Sequence, residues 1–276
     1  MSEDRIRVIR KDGIADVRLN RPDKMNALDP AMFEALVETG RDLADDRSVR
    51  VVVLSGEGRA FSAGLDMSSM AALAGSRGAA PASQERPKRQ LFDRDASSPA
   101  NFAQQTAWVW RDMPAPVIAA LHGVAYGGGL QIALGADIRF VAPDAKLSIR
   151  ESYWGLIPDM AGTQLLRGIV RPDIAKELTF TARIISGEEA HALGLATHVS
   201  NTPYESAMEL AREIAGISPD AIRAAKSLLN EAPLVSPEAG LQREELLQRR
   251  LAGSPNQMEA VKAAFEKRAP RFKDPA

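Results

Sequence analysis

The chain has 276 residues, 45% hydrophobic and 26% charged, an ordinary balance for a globular protein with one substantial core. Its 35 basic and 36 acidic groups leave a formal charge of -1, so nothing in the global charge points to nucleic acid. With no cysteine, disulfides, a thiolate nucleophile and thiolate-held metal are excluded, and His122, His191 and His198 lack ligand spacing, so no metal site is expected.

The opening MSEDRIRVIRKDG lacks the apolar run of a signal peptide, and no stretch approaches the ~20 apolar residues of a membrane span, so a cytoplasmic location is expected. IRVIRKDGIADVRLN (6–20) reads as a hairpin turning at Asp12-Gly13, with Ala15, Val17 and Leu19 on one face. After the loop RPDKMNALDP, Asp29 and Pro30 read as N-cap and first residue of a helix whose apolar stripe is Met32, Phe33, Leu36, Val37 and Leu43. VRVVVLSG (49–56) is continuously apolar, as in a strand covered on both faces.

Residues 71–101 are rich in Ala, Ser, Gly, Pro and charge and predict a mobile lid or loop. FAQQTAWVWRDM then predicts a helix with Trp108 and Trp110 packed against the core, followed by a strand in APVIAALHG (115–123). Beyond VAYGGG come the helix LQIALGAD, strands IRFVA and KLSIR, and helices TQLLRGIV and PDIAKELTFTAR. Ser186 and Glu189 have capping-box spacing. Ser218-Pro219, Ser236-Pro237 and Ser254-Pro255 each read as a helix start in a tail without further strand pattern.

Three motifs carry chemistry. GRAFSAGLDM (58–67) follows a buried strand, and its small residues let backbone N–H groups approach a ligand, although Asp66 also reads as a plain helix N-cap. HGVAYGGGLQIALGAD (122–137) is a strand, a bend and three glycines opening a helix. Ile132 stands where a dinucleotide fingerprint needs glycine, and the triplet also serves close helix packing. Two N–H groups converging from separate loops make an oxyanion hole. In IRESYWGLIPDMAGTQ (149–164), Glu151 and Asp159 sit among apolar residues, where burial raises a carboxylate's proton affinity and improves it as a base. Solvation of Glu151 and helix capping by Asp159 are the alternatives. Ser62 in AFSAG, with Asp137 or Asp159 and His191 or His198, is a rival serine-hydrolase set, though GEGRA separates it from its strand.

AFSAGLD, HGVAYGGGLQIALGADIRF, ESYWGLIPDMAGTQLL and ISGEEAHALGLA, in this order, resemble the crotonase (enoyl-CoA hydratase/isomerase) superfamily over essentially the whole chain. The resemblance implies an α/β fold: a spiral core of ββα repeats over residues 1–200 and a helical C-terminal region over 201–276 that builds trimers or dimers of trimers. It implies an acyl-CoA thioester as substrate, coenzyme A being part of that substrate and no separate cofactor being needed. The thioester carbonyl would lie between the backbone N–H groups of Leu65 and Gly128. Substrate contacts would come from Lys24, Met25, Ala27, Ala63, Gly64, Asp66, Met67, Gly127 and Gln131, with Lys24 or Arg21 meeting phosphate and Phe265 and Lys267 reaching across a subunit boundary.

Hydratases of the family carry two glutamates at positions matching Gln131 and Glu151, so the first acid is replaced here by an amide. The dienoyl-CoA isomerase branch places acids at the positions of Glu151 and Asp159 and has a run similar to ELTFTAR (177–183), but it usually carries an aspartate at position 131. The resemblance therefore favours Glu151 and Asp159 as the catalytic pair and a double-bond shift over hydration. A glutamate at 131 is expected to raise hydration if it reaches the water. A non-catalytic acyl-CoA binder is the remaining alternative.

Overall fold

The computed structural model describes residues 4–67, 69, 90–96 and 98–275. The hairpin strands β1 (Ile6–Lys11) and β2 (Ile14–Leu19) pair antiparallel. Asp12 and Gly13 between them have φ of 52° and 77°, the left-handed pair that matches a two-residue turn to strand twist. Asp29 caps α1 (Pro30–Asp45) by accepting from the Met32 N–H at 2.9 Å, and the helix buries its apolar stripe as expected.

β3 (Val51–Gly56), β4 (Val117–Leu121), β6 (Ile138–Val141) and β9 (His198–Val199) extend the sheet in parallel, in the order β1-β2-β3-β4-β6-β9. A second sheet has the order β5-β7-β8, from Val124–Tyr126, Lys146–Ser148 and Ile185–Ser186. The main core lies against α1, α2 (Phe102–Asp112) and α3 (Gly128–Leu134), and it buries Phe33, Leu54, Trp110 and Leu130. α4 (Gly162–Leu166), α5 (Pro172–Thr181) and α6 (Gly187–Ala192) follow.

α7 (Pro203–Ala215) closes the other face of the large sheet, packing Ala207, Ala211 and Ala215 on Ile14, Val51, Val53 and Ile118. Coverage on both faces explains why β3 reads as an unbroken apolar run. α8 (Pro219–Glu231), α9 (Pro237–Leu251) and α10 (Pro255–Phe265) each begin at the proline marked in the sequence. Ser236 and Ser254 cap their helices through their side chains, whereas Ser218 does not. Ser186 accepts from the Glu189 N–H, while the Glu189 carboxylate takes Arg183.

Trp110 is fully buried and donates to the Thr106 carbonyl, and Trp108 is partly buried with Arg111 stacked 4.6 Å from its ring. Of the lid segment 71–101, residues 71–89 and 97 lie outside the described residues. Its end is anchored, with Arg94 bridging to Asn101 and Asp95 paired with Arg41 at 2.8 Å. No described helix is long and apolar enough to cross a membrane.

Candidate active site

Two backbone turns meet at the carboxyl ends of β3 and β5. Ser62 N–H donates to Val124 O and Tyr126 N–H donates to Ser62 O, each at 3.0 Å, which stitches residues 62–65 to the start of α3. Gly64 has φ of +84°, and a Cβ there would stand 2.5 Å from the Tyr126 carbonyl, so position 64 accepts glycine alone without a shift. A Cβ on Gly129 would lie 2.6 Å from the Ser62 Cβ, and one on Gly128 would lie 2.6 Å from the Met160 Sδ. The glycine triplet thus serves close packing, and the packing brings the second turn against the first.

Leu28 binds the first turn on its outer side, its N–H donating to Gly64 O at 2.8 Å and its O accepting from Asp66 N–H at 3.0 Å. Backbone direction alternates along an extended chain, so the Leu65 N–H, lying between these two groups, points away from Leu28. Leu65 and Gly128 both line a cavity of about 740 Å³. Phe33, Leu91, Phe92, Ala103, Leu156 and Met160 form much of its apolar wall, as a site for an apolar chain with a few polar groups requires.

Both carboxylates open on this cavity. Glu151 begins a 3-10 turn, Glu151–Trp154, closed by Gly155 in the left-handed region. The residue is 8% exposed, so surface solvation does not describe it. Oε1 accepts from Gln131 Nε2 at 2.5 Å, while Oε2 is buried without a hydrogen-bond partner among the described residues. Burial pushes the Glu151 carboxyl up to about 7, the Gln131 contact pulls it down, and the Asp159 charge adds to the rise. Asp159 keeps an exposed face, yet the protein atoms crowding it also raise its carboxyl. It caps no helix, because α4 starts after Ala161 with no side-chain cap.

Gln131 takes a different place from the one expected. Its Oε1 accepts from the N–H groups of Met160 at 2.9 Å and Gly162 at 2.8 Å, which forces Nε2 toward Glu151. The amide is 2% exposed and does not line the cavity. In this position it braces Glu151 through the Nε2 contact.

Among the other expected contacts, Ala63, Gly64, Met67 and Gly127 line the cavity, whereas Lys24, Met25, Ala27 and Asp66 do not. The loop carrying Lys24, Met25 and Ala27 runs alongside, with Ala63 N–H donating to Met25 O at 2.8 Å, and Lys24 is exposed. Arg21 is engaged by Asp66 at 2.6 Å and by the Ala27 carbonyl at 3.1 Å, whereas Lys24 is exposed and pairs with no carboxylate among the described residues. Phe265 is 86% exposed at the end of α10, and Lys267 follows it with φ of +51°.

The serine-hydrolase set does not assemble. Ser62 is wholly buried, and its hydroxyl donates to the Asn26 carbonyl at 2.8 Å and accepts from Gly64 N–H. His191 faces the Ala196 carbonyl and His198 stacks on Phe140. Among the described residues, no group of three or more His, Asp or Glu could hold a metal. Arg150, Tyr126 and Trp154 also line the cavity and were not singled out in the sequence. Arg150 reads there as the end of a strand, and its adjacency to Glu151 is the only signal that marks it.

A family model described as Enoyl-CoA hydratase/isomerase matches residues 9–275. The human mitochondrial enoyl-CoA hydratase domain-containing protein 2 is 33% identical over 94% of this chain and 85% of its own length. Mouse mitochondrial methylglutaconyl-CoA hydratase is 33% identical over 99% of this chain and 84% of its own. The crystal structure of enoyl-CoA hydratase from Bacillus anthracis superposes with a TM-score of 0.83 at 30% identity, covering 98% of this chain and 100% of that one. The chain belongs to the enoyl-CoA hydratase/isomerase family, and its mixed α/β fold is the crotonase fold.

Proposed function

We propose that this protein shifts a double bond in an unsaturated acyl-CoA, with Glu151 and Asp159 moving the protons. The observation that carries the reading is the buried Oε2 of Glu151, without a hydrogen-bond partner among the described residues, in the cavity that Asp159 and the Leu65 and Gly128 turns also line. The thioester carbonyl accepts from the two backbone N–H groups. Glu151 Oε2 takes a proton from the α-carbon, and the electron pair moves into the thioester as an enolate. Each such donor is worth roughly 2.7 to 4 kcal/mol at a comparable site. Asp159 delivers a proton to the far carbon of the conjugated system, and solvent returns the balance between the two carboxyls. The exchange runs from the one-proton state in which Glu151 is ionised and Asp159 carries the proton, and burial raises the proton affinity of both carboxyls, which favours one proton held on the pair.

Hydration is the second reading, favoured by the hydratase names of both relatives. It would run through Glu151 alone or with Asp159, because the Gln131 amide, turned away from the cavity, offers no base for water. Mixing the protein with a 3,5-dienoyl-CoA and, separately, with a 2-enoyl-CoA decides by absorbance. Faster conversion of the first to its 2,4-isomer supports the shift; rapid hydration of the second without isomerisation overturns it.

Assembly into trimers is part of the same proposal. Leu229, Leu241, Met258, Val261 and Phe265 leave apolar surface exposed on the C-terminal helices, as surfaces awaiting a partner do. Sedimentation showing monomers alone would refute it.

A further inference from the structure

The cavity has a second polar pole that the proton transfer does not use. Arg150 lines it, half-buried, with one terminal nitrogen donating to the Ala182 carbonyl at 3.0 Å and its guanidinium carbon 4.0 Å from the Tyr153 ring centroid. These two contacts fix the direction of the group without neutralising it. Among the described residues no carboxylate pairs with it. Tyr126 lines the same cavity, its phenol pushed up by burial and pulled down by the Arg150 charge. An oriented guanidinium in a cavity that also carries a phenol presents the donor fork that matches a carboxylate.

Which part of a thioester meets this pole follows from position. The carbonyl must sit at the Leu65 and Gly128 turns for Glu151 to reach the α-carbon. Arg150 is the residue next to Glu151, and its Cβ lies 3.8 Å from where a Cβ on Gly127 would stand. The phosphates of coenzyme A are removed from the thioester by the whole pantetheine arm. Arg150 lines the same cavity as Leu65, Gly128 and Glu151, so its cation is offered to the acyl group.

We propose that Arg150, assisted by the Tyr126 hydroxyl, selects acyl-CoA esters whose acyl group carries a second carboxylate a few carbons beyond the thioester. The inference rests on the acyl-CoA reading of the cavity and adds the substrate class to it. A methyl-ended chain would leave the guanidinium facing apolar atoms, whereas a carboxylate satisfies it with a charge-assisted pair. The preference expected from one such pair is on the order of 10- to 100-fold in affinity.

Calorimetry with unreactive saturated esters of equal length, glutaryl-CoA and pentanoyl-CoA, reads this selection without turnover, with free coenzyme A as the third ligand. The wild-type protein should bind glutaryl-CoA on the order of 10- to 100-fold more tightly than pentanoyl-CoA. Arg150→Met should bring that ratio close to one, and Arg150→Lys should keep part of it. A wild-type ratio near one overturns the proposal, and this arm needs no variant to fold. So does a ratio that survives Arg150→Met, or an equal weakening of all three ligands, which would place Arg150 on the coenzyme A moiety. Failure of the wild type to bind any of the three ligands would instead sink the acyl-CoA reading itself.

Discussion

Replacing Gln131 with glutamate tests how the base is tuned. In the wild type, Gln131 sets an N–H against Glu151 Oε1 at 2.5 Å and its own oxygen against the Met160 and Gly162 N–H groups at 2.9 and 2.8 Å. In Gln131→Glu the two backbone donors hold one oxygen of the new carboxylate and favour its ionised form. The other oxygen faces Glu151 at a separation that only a shared proton makes tolerable. That proton settles on Glu151, already up at about 7. A like charge in contact binds it roughly 10- to 100-fold more tightly still, so at pH 7 the ionised fraction of the base falls from about one half by roughly 5- to 50-fold. The assay is kcat/KM against pH, from 5 to 10, on the best ester. The wild type should show a rising limb near pH 7, and the variant should move it to higher pH with a loss of roughly 5- to 50-fold at pH 7. An unmoved limb would refute the tuning argument. A gain in 2-enoyl-CoA hydration, the expectation from family position alone, would show that residue 131 does reach the cavity.

Glu151→Gln should stabilise the fold above neutrality, because the folded Glu151 carboxyl at about 7 binds its proton more tightly than the unfolded one at 4.5. Wild-type stability therefore falls as pH rises from 4.5 to 7, and the advantage of the variant should grow from near zero at pH 4 to about 3 kcal/mol at pH 8; parallel denaturation curves at both pH values would contradict this. Gly64→Ala forces a side chain at φ +84° against the Tyr126 carbonyl, displacing the Leu65 N–H, and should lower kcat by about 100- to 1000-fold with a smaller change in KM; equal kcat would remove Leu65 from the oxyanion hole. Asp159→Asn should abolish isomerisation of a 3,5-dienoyl-CoA while α-proton exchange persists, since Glu151 keeps its place, and loss of both reactions would mean that Asp159 only sets the charge of Glu151.

The parts of the fold written in local chemistry were readable from the sequence. Asp12-Gly13 forms its hairpin turn, Asp29 caps α1, and the three Ser-Pro pairs mark α8, α9 and α10. The strands Ile185–Ser186 and His198–Val199 were not, because two residues carry no period and their pairing comes from distant partners. At the site, the small residues at 62–65 and 127–129 and the acids at 151 and 159 were visible. The direction of Gln131 was not, since it is set by N–H groups of Met160 and Gly162, about 30 positions away. Asp159 could be read as a helix cap until α4 was seen to begin three residues later, at Gly162. Arg150 was hidden by its place at the end of an alternating run, where strand pattern masks a cavity residue.

Central to this account is removal of an α-proton by Glu151 from a thioester held at the Leu65 and Gly128 turns. The measurement that reaches it most directly is exchange of the α-protons of a saturated acyl-CoA in heavy water, followed by NMR, which needs neither a double bond nor added water. The wild-type protein should wash deuterium into the α-carbon, with a rate that rises through about pH 7 as Glu151 ionises, and Glu151→Gln should slow the exchange by orders of magnitude while still binding the ester. Equal exchange in the two proteins, or none in a wild type that binds the ester, would contradict it.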